Sequence, residues 1–115
     1  NIPGRITFSL IKSDGEVWCV NSLADPTVST WTNYTVVVSS TQMSLYQNGV
    51  LQESTTGTLS LQPGTGSITY GVGWYDSILA DYSNLEFSRI SIYNRALSQS
   101  EISQNFNNMR NRFGV

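Results

Sequence analysis

Apolar and polar residues alternate along most of the chain, in short runs separated by residues that favour turns. The alternation predicts strands over 5–12, 16–21, 31–39, 43–47, 50–53 and 67–74, with a brief additional strand over 58–61. Asp14-Gly15 and Asn48-Gly49 each separate two of these runs, and both dipeptides favour the tight turn of a β-hairpin. Short strands joined by such turns are typical of a β-sandwich or a barrel.

Two of the predicted strands are expected to be covered on both faces. Residues 36–38 are consecutive valines, and residues 17–20 place apolar side chains on both sides of their strand. Residues 85–93 predict a further strand, and the change of phase of its apolar positions between Phe87 and Ile90 indicates either a bulge or a strand covered on both faces. The segment 76–84 carries more polar residues and is predicted to be a loop.

The C-terminal part changes to helical spacing. Three apolar residues recur four and three positions apart: Ile102, Phe106 and Met109. They define one face of a helix predicted over 98–109. Ser98 is the expected N-cap, because Glu101 three residues later completes a capping box, and Gly114 marks the expected stop.

Composition narrows the function classes. The 115 residues suffice for one domain, and charged residues make up 12%, about half of the usual share. Six basic and eight acidic residues give a net charge of −2, with no basic block, so a nucleic-acid partner is not expected. No apolar run approaches the roughly 18 residues of a membrane span, so membrane insertion is not expected either.

No common enzyme pattern appears in the sequence. Histidine is absent, which removes the commonest general base and the commonest metal ligand. The acidic residues are scattered, without the close pairing that glycoside hydrolysis needs. Cys19 is the single cysteine, so no internal disulfide forms, and a buried apolar role is expected for it. We therefore expect a chain that is not an enzyme and has no cofactor.

One segment offers the chemistry of a glycan site, with aromatic faces for sugar C–H groups and polar side chains for hydroxyls. Its candidate ligand-binding residues are Trp74, Tyr75, Asp76, Asp81 and Tyr82. Calcium is a weaker candidate cofactor, because oxygen ligands lie close in sequence at Asp76, Asp81 and Asn84. The alternatives are core or interface packing for the aromatic residues and ordinary loop polarity for the others. Trp18 and Trp31 are expected in the core.

Three segments resemble LamG-like domains of the concanavalin A-like superfamily and follow that family's order. They are WTNYTVVV from Trp31, LYQNGV from Leu45 and IYNRALSQSEI from Ile92. The resemblance implies an all-β, concanavalin A-like (LamG-like) jelly-roll β-sandwich with one short C-terminal α-helix. Such domains begin with several strands before the one at Ile6, so we expect 1–115 to be a single LamG-like domain that lacks its N-terminal strands.

The resemblance also frames the function. It implies a non-catalytic recognition or assembly module of a virion or of a cell-surface or extracellular structure, with a candidate glycan-binding loop. The sequence from Glu101 to Val115 resembles the ends of LamG-like modules that decorate capsids or lie in tail fibres of tailed phages. The expected partners are other protein subunits of a larger assembly, and glycans. The alternatives are a carbohydrate-binding module of a secreted or cell-surface protein, or a fragment of a glycoside hydrolase.

Overall fold

The computed structural model describes residues 4–12, 14–59, 73–75, 78–80 and 85–115, and for 73–75 and 78–80 only the backbone. The elements in chain order are β1 (Thr7–Ile11), β2 (Val17–Asn21), β3 (Tyr34–Val38), β4 (Gln42–Gln47), β5 (Val50–Thr56), β6 (Gly73–Tyr75), β7 (Ile78–Ala80) and α1 (Gln99–Phe113). The chain divides into two compact units, one of Asn1–Leu61 with Tyr93–Val115 and one of Gln62–Ile92. Thus β1–β5 and α1 belong to the first unit, and β6 and β7 to the second.

The predicted hairpin of β1 and β2 is confirmed. The strands pair antiparallel from Thr7↔Asn21 to Ile11↔Val17. Gly15 has a φ of +87°, a value that glycine adopts without a steric penalty. Its N–H donates to the carbonyl of Lys12 at 2.9 Å, which closes the turn.

The second predicted hairpin belongs to a three-stranded antiparallel sheet of order β3-β4-β5. Asn48 and Gly49 have φ values of +49° and +80°, so this dipeptide forms the expected left-handed turn. The register shifts between Leu45 and Tyr46, which marks a bulge. β5 reaches Thr56, three residues beyond the predicted end at residue 53, since its polar side chains still alternate between the two faces.

The two sheets of the first unit pack face to face. Five residues form the buried core: Trp18, Val20, Met43, Leu45 and Leu59. Partly buried apolar residues of β1 and β3 pack against it: Phe8, Leu10, Tyr34, Val36 and Val38. One face of β1–β2 is thus buried against the inner face of β3-β4-β5. This arrangement, with the C-terminal helix, confirms the all-β sandwich fold.

Two expectations about covered strands are corrected. Trp18 and Val20 of β2 are buried, whereas the opposite face is only partly covered, with Val17 52% exposed and Cys19 half-buried. In the described part of the chain β3 pairs only with β4, at an edge of that sheet and not in the predicted central position, while all five of its residues are half-buried. A run of valines cannot distinguish these environments, because half-buried edge positions also favour β-branched residues.

Trp31 is a further correction. β3 begins only at Tyr34, and Trp31 precedes it with 41% of its side chain exposed. Its ring lies 5.6 Å from that of Phe113, centroid to centroid, on the last residue of α1. Trp31 therefore contacts the helix and lies outside the core, whereas Trp18 occupies the core as predicted.

The predicted helix is confirmed and is longer than expected. Ser98 Oγ accepts the N–H of Glu101 at 3.3 Å, and the Ser98 N–H donates to Glu101 Oε2 at 2.8 Å, which completes the capping box. Gly114 ends the helix with a φ of +70°. Nothing between residue 109 and that glycine interrupts the helix, so α1 continues to Phe113. Ile102 and Phe106 are buried on the predicted face.

The predicted strand over 85–93 does not form. Its apolar residues, namely Leu85, Phe87, Ile90 and Ile92, have exposures between 45% and 70%. A strand needs a hydrogen-bonded neighbour, and no described strand pairs with this segment. Residues 58 and 59 are also not a strand; instead Leu59 is a core residue whose N–H donates to the Ser40 carbonyl at 2.7 Å.

Candidate functional site

The segment that carries the predicted glycan site contains a small hairpin. β6 and β7 pair antiparallel with the register Gly73↔Ala80, Trp74↔Leu79 and Tyr75↔Ile78. Residues 76 and 77 connect the two strands. The predicted loop over 76–84 is therefore wrong for Ile78–Ala80, an apolar run that closes the hairpin after a polar dipeptide.

Two of the predicted glycan-binding residues belong to this hairpin. Trp74 and Tyr75 are the last residues of β6, directly before the connection between the strands. Asp76, Asp81 and Tyr82 lie outside the described residues, as does Asn84 of the candidate calcium site. The glycan and calcium assignments at these positions therefore stay predictions. Elsewhere in the described part of the chain, no group of three potential metal ligands lies close together.

Carboxylates are the residues on which hydrolytic chemistry or a metal site would depend. Five of the six acidic residues in the described ranges have hydrogen-bond or ion-pair partners: Asp14, Glu16, Asp25, Glu53 and Glu101. Each of the five joins two parts of the backbone or neutralises a nearby cation. Their partners show what each of them does.

Glu101 holds the start of α1. It accepts two hydrogen bonds from the Arg95 guanidinium, from Nη1 at 2.9 Å and from Nη2 at 2.7 Å. It also accepts the backbone N–H of Ser98. These bonds, those from Arg95 first, lower the pKa of Glu101 to about 2. Glu101 therefore stays ionised and fixes the segment before the helix to its first turn.

A second charged cluster surrounds the β1–β2 turn. Lys12 contacts Glu16 and lies 3.5 Å from Asp14 Oδ2. The hydrogen bond from Lys12 lowers the pKa of Glu16, and a bond from the Glu16 N–H at 3.0 Å lowers that of Asp14. Glu16 also accepts the indole N–H of Trp18 at 3.2 Å, so the cluster is tied to the core. Exposed pairs of this kind contribute little to stability, because solvent and salt screen the two charges.

Glu53 connects the two layers. It accepts the backbone N–H of Asn21 and, at 3.2 Å, the Asn21 side-chain Nδ2, while Thr55 Oγ1 donates to the Cys19 carbonyl at 3.1 Å. All three bonds join β5 to β2. This role could not be predicted from the sequence, because Glu53 and Asn21 are 32 residues apart. Cys19 is a half-buried free thiol with Ser9 Oγ at 3.4 Å, less buried than its expected role requires.

The last described carboxylate with a partner, Asp25, lies in the loop that follows β2. Asp25 Oδ1 is 3.3 Å from Arg5 Nε, and Arg5 Nη1 donates to the Ser22 carbonyl at 2.8 Å. This pair anchors the loop after β2 to the residues before β1.

No described helix is long and apolar enough to cross a membrane.

Comparison with protein families gives a match over most of the chain. A family model described as the concanavalin A-like lectin/glucanases superfamily matches residues 2–103. The matched range includes the predicted strands, both hairpins of the first unit and the capping box of α1. No curated protein sequence matches the chain.

One solved structure is similar in fold. It is residues 221–444 of an S-layer domain-containing protein from Clostridium thermocellum ATCC 27405, with a TM-score of 0.60 and 25% sequence identity. The alignment covers 90% of this chain and 52% of that one. The chain therefore spans about half the length of this structural neighbour.

Proposed function

Because the chain belongs to the concanavalin A-like lectin/glucanases superfamily, we propose that it is a non-catalytic recognition or assembly module of a cell-surface or extracellular structure. The observation that carries the proposal is the similarity to an S-layer domain-containing protein across 90% of the chain. The low charge and the polar Ser, Thr, Asn and Gln surface fit such a place. Its partners are other subunits of the assembly, and glycans.

The superfamily name covers both binding proteins and hydrolases. The proposal that this chain is non-catalytic therefore needs separate support. A glycosidase requires a general acid whose pKa is raised. The three described carboxylates with a shifted pKa, namely Asp14, Glu16 and Glu101, all have it lowered. Each acts as a partner within the fold, and the absence of histidine removes the usual alternative base.

Glycan recognition is assigned to the segment around the β6–β7 hairpin. Trp74 and Tyr75 end β6, and Asp76, Asp81 and Tyr82 follow in sequence. Aromatic and polar residues of these types are the ones that contact the C–H faces and the hydroxyls of sugars. Asp76, Asp81 and Asn84 are the proposed calcium ligands. A hydrolase fragment remains the alternative function.

Binding and hydrolysis are separated by one pair of assays. Pull-down on insoluble cellulose, xylan, chitin and isolated cell walls measures recognition, and release of reducing ends from the same materials measures hydrolysis. We expect retention on at least one material, no release of reducing ends, and loss of retention in Trp74→Ala. Release of reducing ends by the wild-type chain above a heat-denatured control would overturn the proposal.

A phage particle is the second setting, favoured by the resemblance of the sequence from Glu101 to Val115 to the ends of phage LamG-like modules. The two settings predict different locations for the same polypeptide. Mass spectrometry of a cell-surface extract and of purified particles distinguishes them. Peptides of this chain in the surface extract alone support the cell-surface setting, and peptides confined to the particles support the virion.

A further inference from the structure

Trp31 keeps a large aromatic surface open to solvent while its position is fixed. Its side chain is 41% exposed, although the ring contacts Phe113 at a centroid distance of 5.6 Å and an interplanar angle of 52°. A tilted contact covers part of an indole and leaves the remainder accessible. Tryptophan is among the residue types enriched where a few side chains supply most of the binding energy.

Hydrogen bonds fix the segment that carries Trp31. The N–H of Asn33 donates to Asn48 Oδ1 at 2.9 Å, and the N–H of Asn48 donates to the Asn33 carbonyl at 2.8 Å. These reciprocal bonds hold the segment to the β4–β5 turn. Gln99 Nε2 in turn donates to the Gly49 carbonyl at 2.9 Å, so the same turn is bonded to α1. The aromatic surface is thus preorganised, which lowers the entropy lost on binding.

The same bonds leave two amide nitrogens available. Asn33 Oδ1 accepts from Thr35 Oγ1 at 3.3 Å, and Asn48 Oδ1 accepts from the Asn33 N–H. Neither Nδ2 group donates to any other residue in the described ranges. Because each oxygen is engaged, its hydrogen bond orients the amide plane, and the two N–H donors of each amide are left for a ligand or for water.

We propose that Trp31, with the Nδ2 groups of Asn33 and Asn48, forms a binding platform for a neutral saccharide. This inference rests on the proposed function, to which it adds a site separate in sequence from residues 74–84. The indole receives the C–H face of a sugar ring, and the amide groups donate to its hydroxyls. The three residues are uncharged, which favours a neutral sugar over an anionic one.

Packing of α1 alone does not explain this arrangement. The helix is already attached through buried Ile102 and Phe106. The ring of Trp31 packs against that of Phe113, the final residue of the helix, and Trp31 remains 41% exposed. If Trp31 served only the structure, removing its side chain would lower the stability of the helix. If it forms a binding platform, removing its side chain lowers the affinity for the saccharide.

The test uses calorimetric titration of the whole chain with cellohexaose, xylohexaose, mannohexaose and chitohexaose. The variants are Trp31→Ala and the double change Asn33→Asp with Asn48→Asp, which keeps both engaged oxygens and removes both Nδ2 donors. Asp also tolerates the φ of +49° at residue 48. Val28→Ala is the matched control, because this apolar side chain is 87% exposed. Each protein is checked by circular dichroism before titration.

For the hexasaccharide that binds wild type most tightly, we expect at least tenfold weaker affinity in Trp31→Ala and in the double variant, with Val28→Ala unchanged. Retained affinity in both platform variants together with loss in Trp74→Ala overturns the platform and leaves the proposed function standing. Absence of binding by all four hexasaccharides to wild type also overturns it. Should Trp31→Ala unfold, Trp31→Leu decides, because leucine keeps an apolar side chain without an aromatic face, and wild-type affinity there contradicts the inference.

Discussion

Replacing Gly57 by alanine tests how closely the core is packed around Trp18. A methyl carbon on the Gly57 Cα would lie 2.7 Å from Cζ2 and 3.0 Å from Cη2 of the Trp18 ring. Carbon atoms in favourable contact are about 3.5–4.0 Å apart, so the ring or the backbone has to move by about 0.8 Å. The size of the effect depends on which of the two can yield.

Neither group is free to move. The N–H of Gly57 donates to the Thr41 carbonyl at 2.9 Å, and the N–H of Leu59 donates to the Ser40 carbonyl at 2.7 Å, so the backbone is held on both sides of the substitution. The Trp18 ring is buried in the core. Overpacking a core that cannot relax destabilises by about 1–3 kcal/mol. We expect Gly57→Ala to lower the free energy of unfolding by about 2 kcal/mol.

A double-mutant cycle with Trp18→Phe isolates the steric contact. Phenylalanine lacks the outer part of the indole, which contains both atoms that the new methyl group would meet. Trp18→Phe is destabilising by itself, yet Gly57→Ala should cost less than about 0.5 kcal/mol in that background. Equilibrium urea unfolding of the four proteins, followed by far-ultraviolet circular dichroism, measures the coupling. An equal cost of Gly57→Ala in both backgrounds would refute the steric argument.

Three further changes test single groups. The Tyr34 hydroxyl is buried without a partner in the described part of the chain, and an unsatisfied buried donor costs about 1–3 kcal/mol. Tyr34→Phe should therefore raise the free energy of unfolding measured in urea, and a clear loss of stability would contradict this. Ser98→Ala should lower that free energy by about 0.5–2 kcal/mol through loss of the N-cap, whereas Ser98→Asp should retain it. The pKa of Glu101 falls from 4.5 to about 2 on folding, so its stabilisation is present above pH 4.5 and is lost as the pH falls towards 2. The melting temperature of wild type should therefore decline more steeply than that of Glu101→Gln over this range, and parallel curves would exclude the ion pair as the cause.

Features set by neighbouring residues could be predicted from the sequence. The Asn48-Gly49 turn requires two positive φ angles, and this dipeptide is among the few that adopt them at low cost. The capping box needs only Ser98 and Glu101, three residues apart on one turn. The β1–β2 hairpin and the helix were predicted for the same reason, since their signals lie within a few residues.

Features set by distant partners could not be predicted. Apolar residues recur along 85–93 as in a strand. A β-ladder also requires a second strand that pairs with the first, and the local sequence does not reveal whether one is present. Trp31 is of a residue type that is often buried. In the structure its ring packs against Phe113 at the end of α1, a contact that the sequence around Trp31 does not indicate. The roles of the carboxylates depend on the folded structure in the same way. The sequence identifies Glu101 and Glu53, but the partners that occupy them, Arg95 and Asn21, are known only from the structure.

The polar positions of β5 show how these long-range contacts shape the surface that is left for assembly. Glu53 and Thr55 lie opposite Leu45 and Met43, on the face of the sheet that elsewhere forms the core. They bond to backbone groups of β2 that its pairing with β1 does not use. Unused backbone groups along a strand are sites for pairing with another chain, so these two side chains close β2 to strand addition. Among the described strands of the first unit, the outer edges of β1, β3 and β5 have neither a β-ladder partner nor such side chains against them, so strand addition from another subunit would use one of these edges.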